Sequence, residues 1–149
     1  MRTRTLDTLA LADRLRPVLL RIARELRREA QAETGVSPGQ IALLVTIKYE
    51  PGISLGELAA RERMSAPAMT RYIDRLEKAG LVTRTPSSDD RRRVGLSLTE
   101  DGQRVLRRIR SRRTAWLAQR LGHLSAADRA AIDAAIDPLN KLLDEEELR

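Results

Sequence analysis

The sequence predicts a mainly α chain with one small β-hairpin, and three observations carry that prediction. Between Ser54 and Thr99 two short helical patterns are joined by a tight turn and followed by two alternating segments. The tip between those segments reads Ser87-Ser88-Asp89-Asp90-Arg91-Arg92-Arg93. Long stretches with helical spacing of apolar residues flank this block on both sides. A helix pair followed by an arginine-tipped ribbon is the arrangement of a winged helix-turn-helix, placed here at residues 37–99 of a single chain spanning 1–149.

Leu6 to about Glu33 carries Leu11, Leu15, Val18, Leu19, Ile22 and Leu26 at the spacing of one helical stripe, with a strongly basic opposite face. Pro17 lies inside that pattern; it lacks an amide donor and crowds the preceding turn, so a break is expected near Arg16. Gly35 ends this helix, and Ser37 with Pro38 begins the next as cap and first residue, running to about Tyr49. Pro51-Gly52 forces a turn. Ser54-Leu55-Gly56-Glu57 has capping-box spacing, in which the Ser and Glu side chains satisfy each other's free amides, and opens a helix from about Leu55 to Glu62. Ser65 caps the following helix, where Met69, Ile73 and Leu76 face inward and Thr70, Arg71, Asp74 and Arg75 outward; Gly80 closes it in the left-handed conformation.

Beyond Gly80 the period changes to two. Val94, Leu96 and Leu98 are expected inward and Arg93, Gly95 and Ser97 outward, Leu81 to Thr85 pairs with them, and Pro86-Ser87-Ser88-Asp89 supplies the turn of a two-stranded wing. Thr99, with Glu100 and Asp101 at the positive end of the helix dipole, starts a long helix to about Leu121 with Val105, Ile109, Trp116 and Leu117 inward. Gly122 ends it. Ser125 caps a last helix whose Ile132, Ile136, Leu139 and Leu143 form an apolar stripe, and an acidic tail follows at Asp144 to Glu147.

Composition narrows the function. With 28 basic against 21 acidic residues the chain has a net charge of +7 and a pI near 10.8, which favours polyanionic partners. Residues 61–93 alone hold nine basic and five acidic side chains, so this half of the reading region carries +4 of that charge. There is no cysteine, which excludes a disulfide framework and a thiol switch and removes the main soft metal ligand. The longest purely apolar stretch, Ile41 to Val45, is far short of a membrane helix, and the N-terminus alternates Arg with Thr where a signal peptide has an apolar core; a cytoplasmic chain with no membrane partner is expected. No catalytic constellation, cofactor motif or metal site is found: the single His123 follows a helix-ending Gly, and zinc would lack His and Cys partners.

The chemistry sits in the helix after Ser65 and in the wing. A recognition helix reads bases with its first turns, which here offer Ser65, Ala66, Pro67, Ala68, Thr70 and Arg71. Small residues let the backbone come close and can meet thymine methyl groups, and Arg71 can fork onto the two acceptors of a guanine. Arg75, a turn later, is better placed for a phosphate, and Ser54 and Arg84 are further phosphate candidates. At the wing tip an arginine entering the narrow minor groove is favoured by its negative potential, and a neighbouring Asp can hold the side chain extended; Asp90, Arg91, Arg92 and Arg93 are the candidates.

These motifs resemble the multiple antibiotic resistance regulator (MarR) family of bacterial transcription factors. The likeness rests on Ser54-Leu55-Gly56-Glu57-Leu58-Ala59 and on Ser65-Ala66-Pro67-Ala68-Met69-Thr70-Arg71 leading to Asp74-Arg75-Leu76-Glu77-Lys78-Ala79-Gly80-Leu81-Val82. Asp90-Arg91-Arg92 and then Leu98-Thr99-Glu100-Asp101-Gly102 complete it, in matching order over nearly the whole chain. The resemblance implies that the family's Asp-x-Arg wing element falls on Asp90 and Arg92, the Arg in the minor groove and the Asp as its buttress. It implies a homodimer in which helices at 6–33 and 100–148 interlock, and a double-stranded DNA site of pseudo-palindromic form. It also implies a repressor released by a small-molecule effector, with Tyr49 and Trp116 as candidate walls of a ligand cleft; the chain has no Phe and its aromatics are Tyr49, Tyr72 and Trp116. Two other classes stay open from the residues alone, a winged-helix module that docks an acidic protein and a nonspecific architectural DNA binder. The run Arg104, Arg107, Arg108, Arg110, Arg112 and Arg113 is open in the same way: it can line phosphates, bind an acidic effector, pair with the acidic tail or form a solvated face.

Overall fold

A computed structural model describes residues 7–86 and 94–143. The wing residues Asp90, Arg91, Arg92 and Arg93 and the acidic tail lie outside the described residues. The elements are α1 (Thr8–Thr34), α2 (Pro38–Tyr49), β1 (Ile53–Ser54), α3 (Leu55–Arg61), α4 (Ala66–Lys78), β2 (Val82–Pro86), β3 (Val94–Leu98), α5 (Glu100–Gly122) and α6 (Ala126–Lys141). By packing the chain divides into two compact units, Met1–Arg113 and Thr114–Arg149.

Capping chemistry sets most boundaries. Asp7 accepts the Leu9 amide at the start of α1, and Gly35, at φ +67°, closes α1 with its amide on the Gln31 carbonyl. Ser37 and Gln40 form a complete capping box on α2, as Ser54 and Glu57 do on α3, where the Glu57 amide meets Ser54 Oγ at 3.1 Å and Glu57 Oε2 accepts the Ser54 amide at 2.9 Å. Ser54→Ala is expected to cost about 1 kcal/mol, seen as a lower urea midpoint with an unchanged slope. An unmoved midpoint would mean that water replaces the hydroxyl.

The core belongs to the first unit. α2 buries Ile41, Leu43, Leu44 and Ile47 on its core side and leaves Ala42, Val45 and Tyr49 exposed. Leu58 and Ala59 of α3, Met69, Ile73 and Leu76 of α4, Val82 and Leu96 of the sheet, Ala30 of α1, and Leu106 and Ile109 of α5 close around it. In the second unit no residue of α6 is buried.

Four expectations need correction. α1 runs through Pro17 without the break expected near Arg16. The ring leaves the Asp13 carbonyl without a helical donor, but that turn is exposed and water can satisfy it. The sheet has three strands in the order β1-β3-β2, because Ile53 and Ser54 pair with Leu96 and Gly95 on the free edge of the hairpin. That added edge inverts two side-chain assignments: Gly95 is buried under the turn at Gly52, while Val94, opposite Pro86 at the far end of the ladder, is 48 % exposed. On α5, Leu106 is buried beside Ile109, whereas Leu117 is exposed.

Candidate nucleic-acid interface

The turn that sets α4 against α3 is built from backbone bonds. The Met64 amide reaches the Ala59 carbonyl at 2.9 Å, and Arg63 sits between at φ +52°, a left-handed conformation that a non-glycine residue adopts at some cost. Ser65 Oγ then accepts the Ala68 amide at 3.3 Å, and Pro67 occupies a first-turn position that needs no amide donor. Met69, Ile73 and Leu76 anchor α4 in the core, so the helix has one fixed rotation about its axis.

That rotation places Ser65, Ala66, Pro67, Arg71 and Arg75 at the surface, with Ala68 and Thr70 half-buried. The Thr70 hydroxyl donates back to the Ala66 carbonyl at 2.9 Å, so its donor is used within the helix. Arg71 has no hydrogen-bond, ion-pair or ring partner among the described residues. The Arg75 guanidinium lies over the Tyr72 ring, 6.0 Å from its centroid, which steadies its stem.

Arg84, on β2, reaches across to α4. Its guanidinium is 2.8 Å from Asp74 and 3.7 Å from Glu77. The two carboxylates of the α4 surface are thereby engaged, leaving Arg71, Arg75 and Lys78 to set its sign. The same contact fixes the base of the hairpin against α4. Ser54 Oγ is held in the α3 cap, and α3 is tied to α2 by the Arg61–Glu50 ion pair and by Thr46 Oγ1 donating to Glu62 at 3.1 Å.

Tyr49 is 75 % exposed at the end of α2, with the Lys48 ammonium 5.6 Å from its ring centroid. Trp116, in the second unit, is half-buried with the Arg120 guanidinium 5.2 Å from its ring. Among the described residues no group of three or more His, Cys, Asp or Glu could hold a metal ion.

The arginine run on α5 has a structural use that sequence reading left undecided. Arg108 pairs with Glu33 at 3.0 Å, Arg112 pairs with Glu29 at 3.0 Å, and Arg113 Nε donates to the Leu26 carbonyl at 3.2 Å, all on α1. Burial, and then the nearby Arg27, lower the pKa of Arg113. A signal was available: Glu29 and Glu33 share the four-residue spacing of Arg108 and Arg112, as two antiparallel helix faces in register would require.

Comparison with known proteins decides what this arrangement belongs to. The family model described as the MarR family matches residues 36–94. The HTH-type transcriptional regulator Mb0904 of Mycobacterium bovis is 36 % identical over 135 residues, 91 % of this chain and 94 % of that protein. The chain belongs to the MarR family. It is a transcriptional regulator with a DNA-binding winged helix, and the family and its relatives are regulators, not enzymes. The HTH-type transcriptional repressor MdtR of Bacillus subtilis is 33 % identical over 97 residues, 65 % of this chain and 63 % of that protein. A solved structure of an S. aureus MepR mutant bound to oligodeoxyribonucleotide shares the fold, with a TM-score of 0.69 at 16 % identity over 90 % of this chain and 98 % of that one. No described helix of this MarR-family chain is long and apolar enough to cross a membrane.

Proposed function

We propose that the protein is a cytoplasmic, sequence-specific repressor that binds a pseudo-palindromic operator as a homodimer and releases it when a small ligand binds. The observation that carries this reading is the surface of α4: a capped, rotationally fixed helix whose first turns expose small residues and an uncommitted Arg71. In this reading Ser65, Ala66, Pro67, Ala68, Thr70 and Arg71 face the major groove, and Arg75, Ser54 and Arg84 lie along phosphates. Asp90, Arg91, Arg92 and Arg93 carry the wing into the minor groove, with Arg92 inserted. Tyr49 and Trp116 are ligand contacts. Exposed Leu11, Val18, Leu19 and Ile22 on α1 and Ile132 and Ile136 on α6 support a dimer, since apolar side chains at helical spacing call for a covering partner. Two heads then sit about 34 Å apart, one turn of duplex. The similarity to MdtR, named a transcriptional repressor, supports repression.

Selection from a random duplex pool tests the reading. A two-fold-symmetric winner is expected, bound at least about a thousandfold more tightly than scrambled DNA at one fixed salt concentration. Salt-steep binding without enrichment would make the protein an architectural binder, and no duplex binding at all would point to a docking module.

A further inference from the structure

The face of α5 turned away from the core carries a depression that the α4 surface does not use. Its volume is about 460 Å³, and it is lined by Glu33 of α1 and by Arg104, Arg107, Arg108, Ser111 and Arg112 of α5. The α5 residues recur every three to four positions and so form one stripe, opposite the buried Leu106 and Ile109. Four guanidiniums therefore border one open space. Their carboxylate partners are Asp101 on Arg104, Glu100 on Arg107, Glu33 on Arg108 and Glu29 on Arg112, and of these only Glu33 lines the depression itself. A guanidinium has five donors, so one carboxylate leaves most of each fork unfilled, and exposed pairs of this kind exchange readily.

We propose that this depression binds a small organic anion bearing two or more carboxylate or phosphate groups. Both groups match the planar fork of arginine in the same bidentate way. The depression is open to solvent, so charge and not enclosure carries the affinity, and a single-charge anion would leave most of the four guanidiniums untouched. Arg108 also holds α1 through Glu33, so an arriving anion competes with Glu33 and loosens the brace between α1 and α5. An effect on DNA binding would rest on the ligand-responsive regulator proposed above; anion binding itself does not.

Calorimetric titration of the full chain, without DNA and at one chloride concentration, tests the site with citrate, inorganic pyrophosphate and acetate as probes. Citrate or pyrophosphate is expected to saturate with a Kd below about 1 mM and acetate is not, and the comparison of the first two separates carboxylate from phosphate recognition. Arg108→Gln should weaken the better probe at least about tenfold, and Arg108→Lys, which keeps the charge and loses the fork, should lose most of that. Glu33→Gln should strengthen binding about threefold. Asp13→Asn, which adds the same charge about 30 Å away along α1, should leave it within about twofold. Circular dichroism confirms that each variant folds.

Failure of both polyanions to saturate overturns the proposal, and so does an equal response to Glu33→Gln and Asp13→Asn. Loss of duplex binding in Arg108→Gln with unchanged citrate affinity gives this face to DNA phosphates and overturns it as well. Citrate binding in a chain that selects no duplex leaves the site standing and removes the regulator reading alone.

Discussion

Gly102→Ala is expected to lower stability by about 3 kcal/mol, read as a fall in urea midpoint at unchanged slope. An added Cβ would lie 2.2 Å from the Leu81 carbonyl oxygen and 3.1 Å from its carbon. That peptide has no room to withdraw. The Leu81 amide donates to the Leu76 carbonyl at 2.9 Å, its carbonyl accepts the Thr99 amide at 3.1 Å, and Thr99 Oγ1 both accepts the Gly102 amide and donates to the Gly80 carbonyl. The methyl group must therefore push the first turn of α5 away from the corner between α4 and β2. Leu106 and Ile109, one and two turns later, would be dragged out of their places in the core. Alanine's better helix propensity returns only about 1 kcal/mol. Gly56→Ala is the matched control: nothing lies within 4 Å of its added Cβ on α3, and a gain of about 0.5 kcal/mol is expected. A Gly102→Ala variant as stable as the parent would show that the Leu81 peptide moves freely.

The corner at Gly102 also shows where sequence reading stops. Capping is local chemistry, so Ser37, Ser54, Ser65 and Ser125 mark helix starts that the structure keeps, and the inward positions Met69, Ile73 and Leu76 follow from spacing alone. β1 has two residues, too few for any period to register, and its pairing with β3 spans about forty residues of chain. Once that strand is added, Gly95 must be glycine because an added Cβ would lie 2.9 Å from the Gly52 backbone. The left-handed Arg63 has no glycine or asparagine to announce it. Arg84 is a phosphate candidate by residue type, and the packing of β2 on α4 adds what the type does not show, that Asp74 and Glu77 already hold part of its fork. Charge can be read from sequence; which opposite charge it meets requires the fold.

On the α4 surface, Arg71→Ala and Arg75→Ala are expected to fail in different ways. Arg71 lies in the turns that can approach base edges and is exposed without a partner among the described residues, so its fork is available to a guanine. Arg71→Ala should weaken the selected duplex by about 1 to 3 kcal/mol and relax preference at one base pair in each half-site. Arg71→Lys keeps the charge without the fork, and should recover part of the affinity but little of the preference. Arg75 is a turn further along, already leaning on Tyr72, and its proposed partner is a phosphate. Arg75→Ala should weaken all sequences about equally and reduce the salt slope by about one per head. Arg92→Ala, at the wing, should cost about 1 to 3 kcal/mol, with the change in preference confined to the flanks where minor-groove width is read. Affinities of each variant for the selected duplex and its single-base substitutions, measured across a salt series, separate these outcomes. The reversed pattern, with preference lost in Arg75→Ala and a uniform loss in Arg71→Ala, would mean that α4 enters the groove one turn deeper. Ala66 and Pro67 would then lie against backbone, and the small-residue start of the helix would serve close approach to phosphate in place of contact with thymine methyl groups.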